Sequence, residues 1–159
     1  HQCDLNLANM KYAFIILLIT NVCCSNNNQG KMINEGDEKS LRYLKEVEWP
    51  KAYHEQDTLL LDRLLGEDFQ MIDAEGNWTD KKFEMNWIKQ HTDRPDSFHY
   101  EIKRLQILEN GTAIIAGTGH IFNDTTETIY QSSNYLEKRD GIWKAFSSHV
   151  SGVKPAPAK

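Results

Sequence analysis

Asp73, His149 and His120 are the side chains of this chain best suited to acid–base chemistry. A carboxyl group held in an apolar pocket has its pKa raised toward neutrality, where it can take a proton from a carbon acid or from water. A histidine titrates near neutral pH and is the natural partner, here either His149 or His120. Tyr53 supplies a phenolic hydrogen-bond donor. Each residue also has a plainer role. Asp73 opens the sequence Asp73-Ala74-Glu75-Gly76, where aspartate commonly stabilises a turn. A histidine near a strand end is often a hydrogen-bonded structural residue. Asp57 reads as a helix cap, and Trp49, Tyr53, Trp78 and Trp87 read as core before they read as a ligand platform, because aromatics dominate core burial.

Other chemistries are unsupported. There is no Gly-x-Ser-x-Gly elbow, no glycine-rich phosphate loop and no paired His or Glu-x-x-His spacing on a helix. His91 and His99 straddle a turn, so no metal site and no cofactor are expected. Cysteines occur only at Cys3, Cys23 and Cys24, which leaves the folded part without a thiol nucleophile. The net charge of -5 argues against a general nucleic-acid binder.

The elements that must position these groups are legible from turn chemistry. Residues 97–108, 112–122, 128–138 and 142–151 read as strands separated by Asn110-Gly111, Asn123-Asp124 and Asp140-Gly141, which suit the φ > 0 positions of tight hairpins. Strand alternation places Trp143, Ala145, Ser147 and His149 on one face, and Ile114, Ala116, Thr118, His120 and Phe122 on one face of the second strand. Upstream, residues 35–65 are helical. Pro50 kinks or restarts the pattern, and a second helix over 58–65 is capped by Asp57 and stopped by Gly66. A short strand over 67–73 and a helix over 80–90 with Phe83, Trp87 and Ile88 inward complete the order α-α-β-α-β-β-β-β. This is an α+β domain with helices on one face of a curved antiparallel sheet.

Residues 1–30 stand apart. Residues 1–9 read as a non-native start before Met10-Lys11, and residues 12–19 form an apolar run too short to span a bilayer. Followed by Cys23-Cys24 and a polar linker, the run looks like a secretory signal of lipoprotein type, with Cys23 or Cys24 carrying the lipid. The expectation is an exported chain of the periplasm or cell envelope that meets the membrane only through that anchor, or a secreted one. One domain over 31–153 and a tail over 154–159 follow.

The order of elements resembles the nuclear-transport-factor-2-like superfamily, and within it the SnoaL-like group of bacterial domains of unknown function. The resemblance is carried by Trp49, Ala52, Asp57, Leu64-Leu65, Asp68-Phe69 and Asp73-Ala74-Glu75-Gly76. Toward the end it rests on Tyr135-Leu136-Glu137-Lys138, Asp140-Gly141-Ile142-Trp143-Lys144 and Ser148-His149-Val150-Ser151. It implies a cone-shaped, cystatin-like roll whose N-terminal helices pack on the concave face of the sheet and leave a pocket at the open end. Trp49, Tyr53, Trp78, His120 and Trp143 are expected to line that pocket, with Asp73 and His149 as its catalytic pair. The implied function is binding of a small hydrophobic ligand. Isomerase, cyclase or dehydratase chemistry is one alternative. A module that pairs with a second copy through its outer sheet face is another.

Overall fold

The first helix begins where Asp37 accepts a hydrogen bond from the backbone N–H of Asn34 (2.6 Å), satisfying a donor at the helix start. In this computed structural model, which describes residues 33–91 and 94–157, the helical section runs as α1 (Asp37–Tyr43), a π-helical turn (Leu44–Glu48) and α2 (Trp49–His54). Pro50 was expected to break the pattern. The backbone answers it with the π-turn: the N–H of Trp49 reaches back to Leu44 O, and the widened turn absorbs a proline that has no N–H to give to Glu46. Helix α3 (Thr58–Leu64) is capped by Asp57, whose side chain accepts from Leu60 N at 2.9 Å.

Gly66 does not stop that helix in a loop. Leu65 already begins strand β1 (Leu65–Ile72), and Gly66 lies within it. A tight turn leads to β2 (Trp78–Asp80), a three-residue strand too short for the sequence to reveal, and then to α4 (Lys81–Gln90), capped by Asp80. The meander follows as expected: β3 (Ser97–Ile107), β4 (Thr112–Asn123), β5 (Thr126–Arg139) and β6 (Ile142–Pro155). Strand β6 runs beyond residue 151, pairing Lys154 with Ile129 and Pro155 with Thr128. The segment with Cys3, Cys23 and Cys24 and the signal-like run lies outside the described residues.

The six strands form one curved, unclosed sheet in the order β2-β1-β6-β5-β4-β3. All neighbours are antiparallel except β1 and β6, which pair in parallel. The uniformly antiparallel expectation fails there because β1 precedes α4 and the meander, so the chain returns to it only with its last strand. The helices fill the concave face. Leu41, Leu44, Leu61, Leu64, Phe69, Ile88, Tyr100, Ile115 and Leu136 form a continuous buried core between the two layers.

One polar contact locks the layers together. The carboxylate of Asp37 lies buried between Lys138 Nζ (2.8 Å) and Trp143 Nε1 (2.8 Å), both on the concave face of the meander. Burial pushes the Asp37 carboxyl up, but hydrogen bonds from Lys138, the Asn34 backbone and Trp143 outweigh it, and the group ends below the usual carboxylate range. A carboxyl depressed in the folded state adds stability above its unfolded pKa and loses it as pH falls through the folded value. Removing the carboxylate takes a charged acceptor away from the buried Lys138 and Trp143 donors. Asp37→Ala is therefore expected to lower unfolding free energy by about 3 kcal/mol at pH 7, with the gap narrowing below about pH 4, as measured by urea denaturation.

Candidate functional site

Between the π-turn, α2, α4 and the concave sheet lies a cavity of about 760 Å³ that opens at the rim between α2 and the start of β3. Its volume is in the range of small-molecule sites. Trp49, Tyr53, Phe83, Trp87, Phe98 and Tyr130 give it aromatic walls, and Met71, Ile121 and Val150 add aliphatic surface. The Tyr53 and Trp87 rings are 6.1 Å apart and tilted, while Trp87 stacks on His91 at 4.0 Å.

The meander positions the floor. Pairing between β5 and β6 shifts at two points, one between Ile129 and Gln131 and one within the floor, where Tyr135 faces Ser147 but Leu136 faces Ala145, so Phe146 is an extra, bulged residue. Before the bulge, Trp143 and Ala145 point inward. After it, Ser148 and Val150 do, opposite Asn134 and Ser132. Simple alternation across the bulge put Ser147 and His149 inward. The extra residue turns both to the convex face, where His149 is exposed and separated by the sheet from the cavity.

The other expected residues divide between the two faces. Asp73 does reach the cavity rim, yet its carboxylate is occupied by its own turn. Oδ1 accepts from the backbone N–H of Glu75 (3.0 Å) and Asn77 (2.8 Å), and Oδ2 accepts from Asn77 Nδ2 (3.0 Å). The Asn77 side chain, then its backbone N–H, hold the Asp73 carboxyl below its ordinary value, the opposite of what a general base at neutral pH needs. Asp73 and His149 therefore do not face one another. Trp49 and Tyr53 line the cavity. His120 lies on the convex face with Nδ1 2.6 Å from Glu127 and its ring 5.7 Å from that of His99. Trp143 is buried against Asp37, outside the cavity lining. Trp78 is 71% exposed and borders a shallower outer depression of about 470 Å³ beside Lys82 and Phe83.

Two buried charged residues of the cavity were not among the expected residues. Glu84, on α4, accepts from Tyr53 Oη at 2.6 Å and from Thr79 Oγ1 at 2.9 Å. Burial, then the charge and hydrogen bond of Glu84, raise the Tyr53 phenol well above its ordinary pKa, so it stays protonated and donates. Lys45, in the π-turn, is 5% exposed. Its Nζ sits 4.2 Å from the centroid of the Tyr100 ring and 4.6 Å from that of Trp49. Burial holds its ammonium down, from the ordinary lysine value to about 7. Deeper on the floor, Tyr100 Oη lies 2.9 Å from Ser132 Oγ, and Asn134 Nδ2 donates to Ser148 Oγ at 2.7 Å.

A sequence signal for both groups exists. Lys45 falls four residues after Leu41 and four before Trp49, and Glu84 falls four before Ile88, so each sits on the apolar stripe of its helix. Phe83 and Trp87, expected inside on α4, are instead half-exposed at the cavity rim, because Glu84 and Ile88 take the buried stripe.

Two glycines in β4 shape the same wall. A Cβ at Gly119 would stand 2.2 Å from the Tyr130 ring, and one at Gly117 would stand 2.0 Å from Glu101 O, beside the bulge in β3 at Lys103. Glycine at 119 thus lets Tyr130 lie flat across the strand and face the cavity.

Lys45 also makes stability depend on pH. Its folded pKa is depressed, so between about pH 7 and 10.5 the unfolded chain binds more protons and stability rises with pH, by about 1.4 kcal/mol per unit. Lys45→Met removes that dependence. The variant is expected to be more stable than the parent at pH 7 and below, with the difference shrinking steadily toward pH 10, as read from urea midpoints across that range.

A family model for the SnoaL-like domain matches residues 47–156. No curated protein matches the chain. Among solved structures, a conserved protein from Planctomyces limnophilus is 17% identical with a TM-score of 0.66, over 77% of this chain and 100% of its own. An NTF2-like protein from Cytophaga hutchinsonii is 16% identical with a TM-score of 0.64, over 76% of this chain and 99% of its own. An NTF-2 like protein of unknown function from Shewanella oneidensis is 17% identical with a TM-score of 0.60, over 73% and 98%. The likenesses show the NTF2-like fold, and with the match to the family model they place the chain in the SnoaL-like family of the NTF2-like superfamily.

Proposed function

We propose that this domain binds a small, mainly apolar molecule in the cavity beneath the π-turn and α2. The observation that carries the reading is the cavity itself: about 760 Å³, walled by aromatic side chains, with polar groups on its floor and charged ones around its rim. Apolar walls give affinity and sparse polar groups give orientation, the usual division in such sites. The signal-like run and Cys23-Cys24 support an exported, lipid-anchored setting for this activity. The convex face, where Tyr135 and Phe146 lie 6.4 Å apart, supports pairing with a second copy.

A second reading, acid–base catalysis, is favoured by the Tyr53–Glu84 hydrogen bond at 2.6 Å inside the cavity, in place of the Asp73–His149 pair. A carboxylate and a phenol in contact, both lining the same enclosed space, are a base and a donor within reach of one ligand. Glu84→Gln separates the readings. Turnover lost with ligand affinity retained supports catalysis, and unchanged behaviour leaves binding alone.

Occupancy of the cavity is tested by blocking it. Val150→Trp places an indole into the lumen from the floor strand. It is expected to abolish the quenching of Trp49 and Trp87 fluorescence by apolar ligands and to leave the melting temperature within a few degrees of the parent. Ligand binding that survives the block would locate it on the outer surface instead.

A further inference from the structure

Two groups at the polar end of the cavity have open hydrogen-bonding capacity. Lys45 is buried, and its Nζ has two aromatic faces beside it but no hydrogen bond or ion pair among the described residues. Asn134 is 1% exposed, and its Oδ1 has no partner. The two belong to one patch. Tyr100, whose ring lies against Lys45, contacts Ser132 through its hydroxyl, and Ser132 is two residues from Asn134 on the same face of β5. A buried ammonium without a counter-ion is costly, and an apolar ligand alone would leave it so.

We infer that the cavity is built for an amphipathic monocarboxylate, its apolar body against the aromatic walls and its carboxylate on the Lys45 ammonium. The inference rests on the reading of this cavity as a small-molecule site and names the ligand class. A single cation between two rings matches one negative charge. A phosphate would bring two near neutral pH and call for several donors, and the Glu84 carboxylate in the same cavity opposes the second. The Asn134 amide completes the polar end. Turned over, it accepts from Ser148 through Oδ1 and leaves Nδ2 free to donate to a ligand oxygen.

The pH dependence follows from Lys45 being charged only below about 7 in the empty cavity. Carboxylate affinity should be level from pH 5.5 to 7 and then fall roughly tenfold per pH unit. The other titratable groups that share the cavity or touch Lys45 are Tyr53, His54, Glu84, His91, Tyr100 and Tyr130 together with the carboxylates Glu55, Asp73 and Glu75, and the cations Lys51 and Arg94 also line it. A Lys45 variant separates its contribution from theirs.

The test is calorimetric titration of the full chain with two matched pairs, 2-naphthoate against 2-naphthamide and decanoate against decanamide, at pH 6 and 8.5. The parent is expected to bind each acid at least tenfold tighter than its amide at pH 6. That preference should weaken at pH 8.5. Lys45→Met should bind acid and amide alike, and Lys45→Arg should restore part of the preference. A melting curve of each variant confirms that it is folded. Equal binding of acid and amide by the parent overturns the inference while leaving the cavity a ligand site. Retention of the preference by Lys45→Met also overturns it and moves the anchor to Lys51 or Arg94. If neither acid nor amide binds, the small-molecule reading fails and the inference with it.

Discussion

The fold turns on a buried carboxylate. Asp37 stands at the start of the first helix and reaches across the core to Lys138 and Trp143, residues that pair with each other on β5 and β6. Three donors on one carboxylate fix the height and rotation of that helix over the sheet. Everything further along the helical section inherits the setting. Leu41 and Leu44 enter the core, and the next residue on the stripe, Lys45, is carried into the cavity. Such a pair adds little net stability compared with apolar packing, but it defines one arrangement of helix over sheet.

Two backbone irregularities turn that scaffold into a site. The π-turn ahead of Pro50 widens the helix where Lys45 and Trp49 meet the cavity, and π-turns of this kind recur at functional positions. The bulge at Phe146 changes which side of β6 faces inward, giving the floor Ser148 and Val150 instead of Ser147 and His149. Both are single-residue insertions into a regular pattern. Both bring a polar side chain, Lys45 and Ser148, to the cavity lining.

The balance between stability and function is visible at Lys45. An uncharged residue of the same length would suit a buried, aromatic surrounding better. Retaining an ammonium there weakens the empty protein, and under the proposed binding of a carboxylate the ligand would restore that stability, linking ligand and fold thermodynamically. The same logic removes Asp73 from the chemistry. A carboxylate already supplied with three hydrogen bonds is stabilised as the anion, so proton abstraction gains nothing there.

Local chemistry made much of this protein legible in its sequence. The hairpin turns at Asn110-Gly111 and Asp140-Gly141, the cap at Asp57, the alternation of the meander and the α+β order all follow from preferences acting over a few residues, while the family was read from a resemblance spread along the chain. Trp49 and Tyr53, which the resemblance put in the pocket, do line the cavity. The composition of the site was decided by tertiary structure. The period-two rule fails at a bulge, because one extra residue inverts every later side chain and its position is set by how β5 and β6 curve together. The parallel docking of β1 on β6 joins segments far apart in the chain, which no local signal encodes. Whether Asp73 served a turn or a ligand depended on where Asn77 pointed. Lys45 falls on the apolar stripe of its helix, but its place between two rings was decided by the Asp37 contact and the π-turn, since burial of a charge is a property of the surroundings and not of the residue.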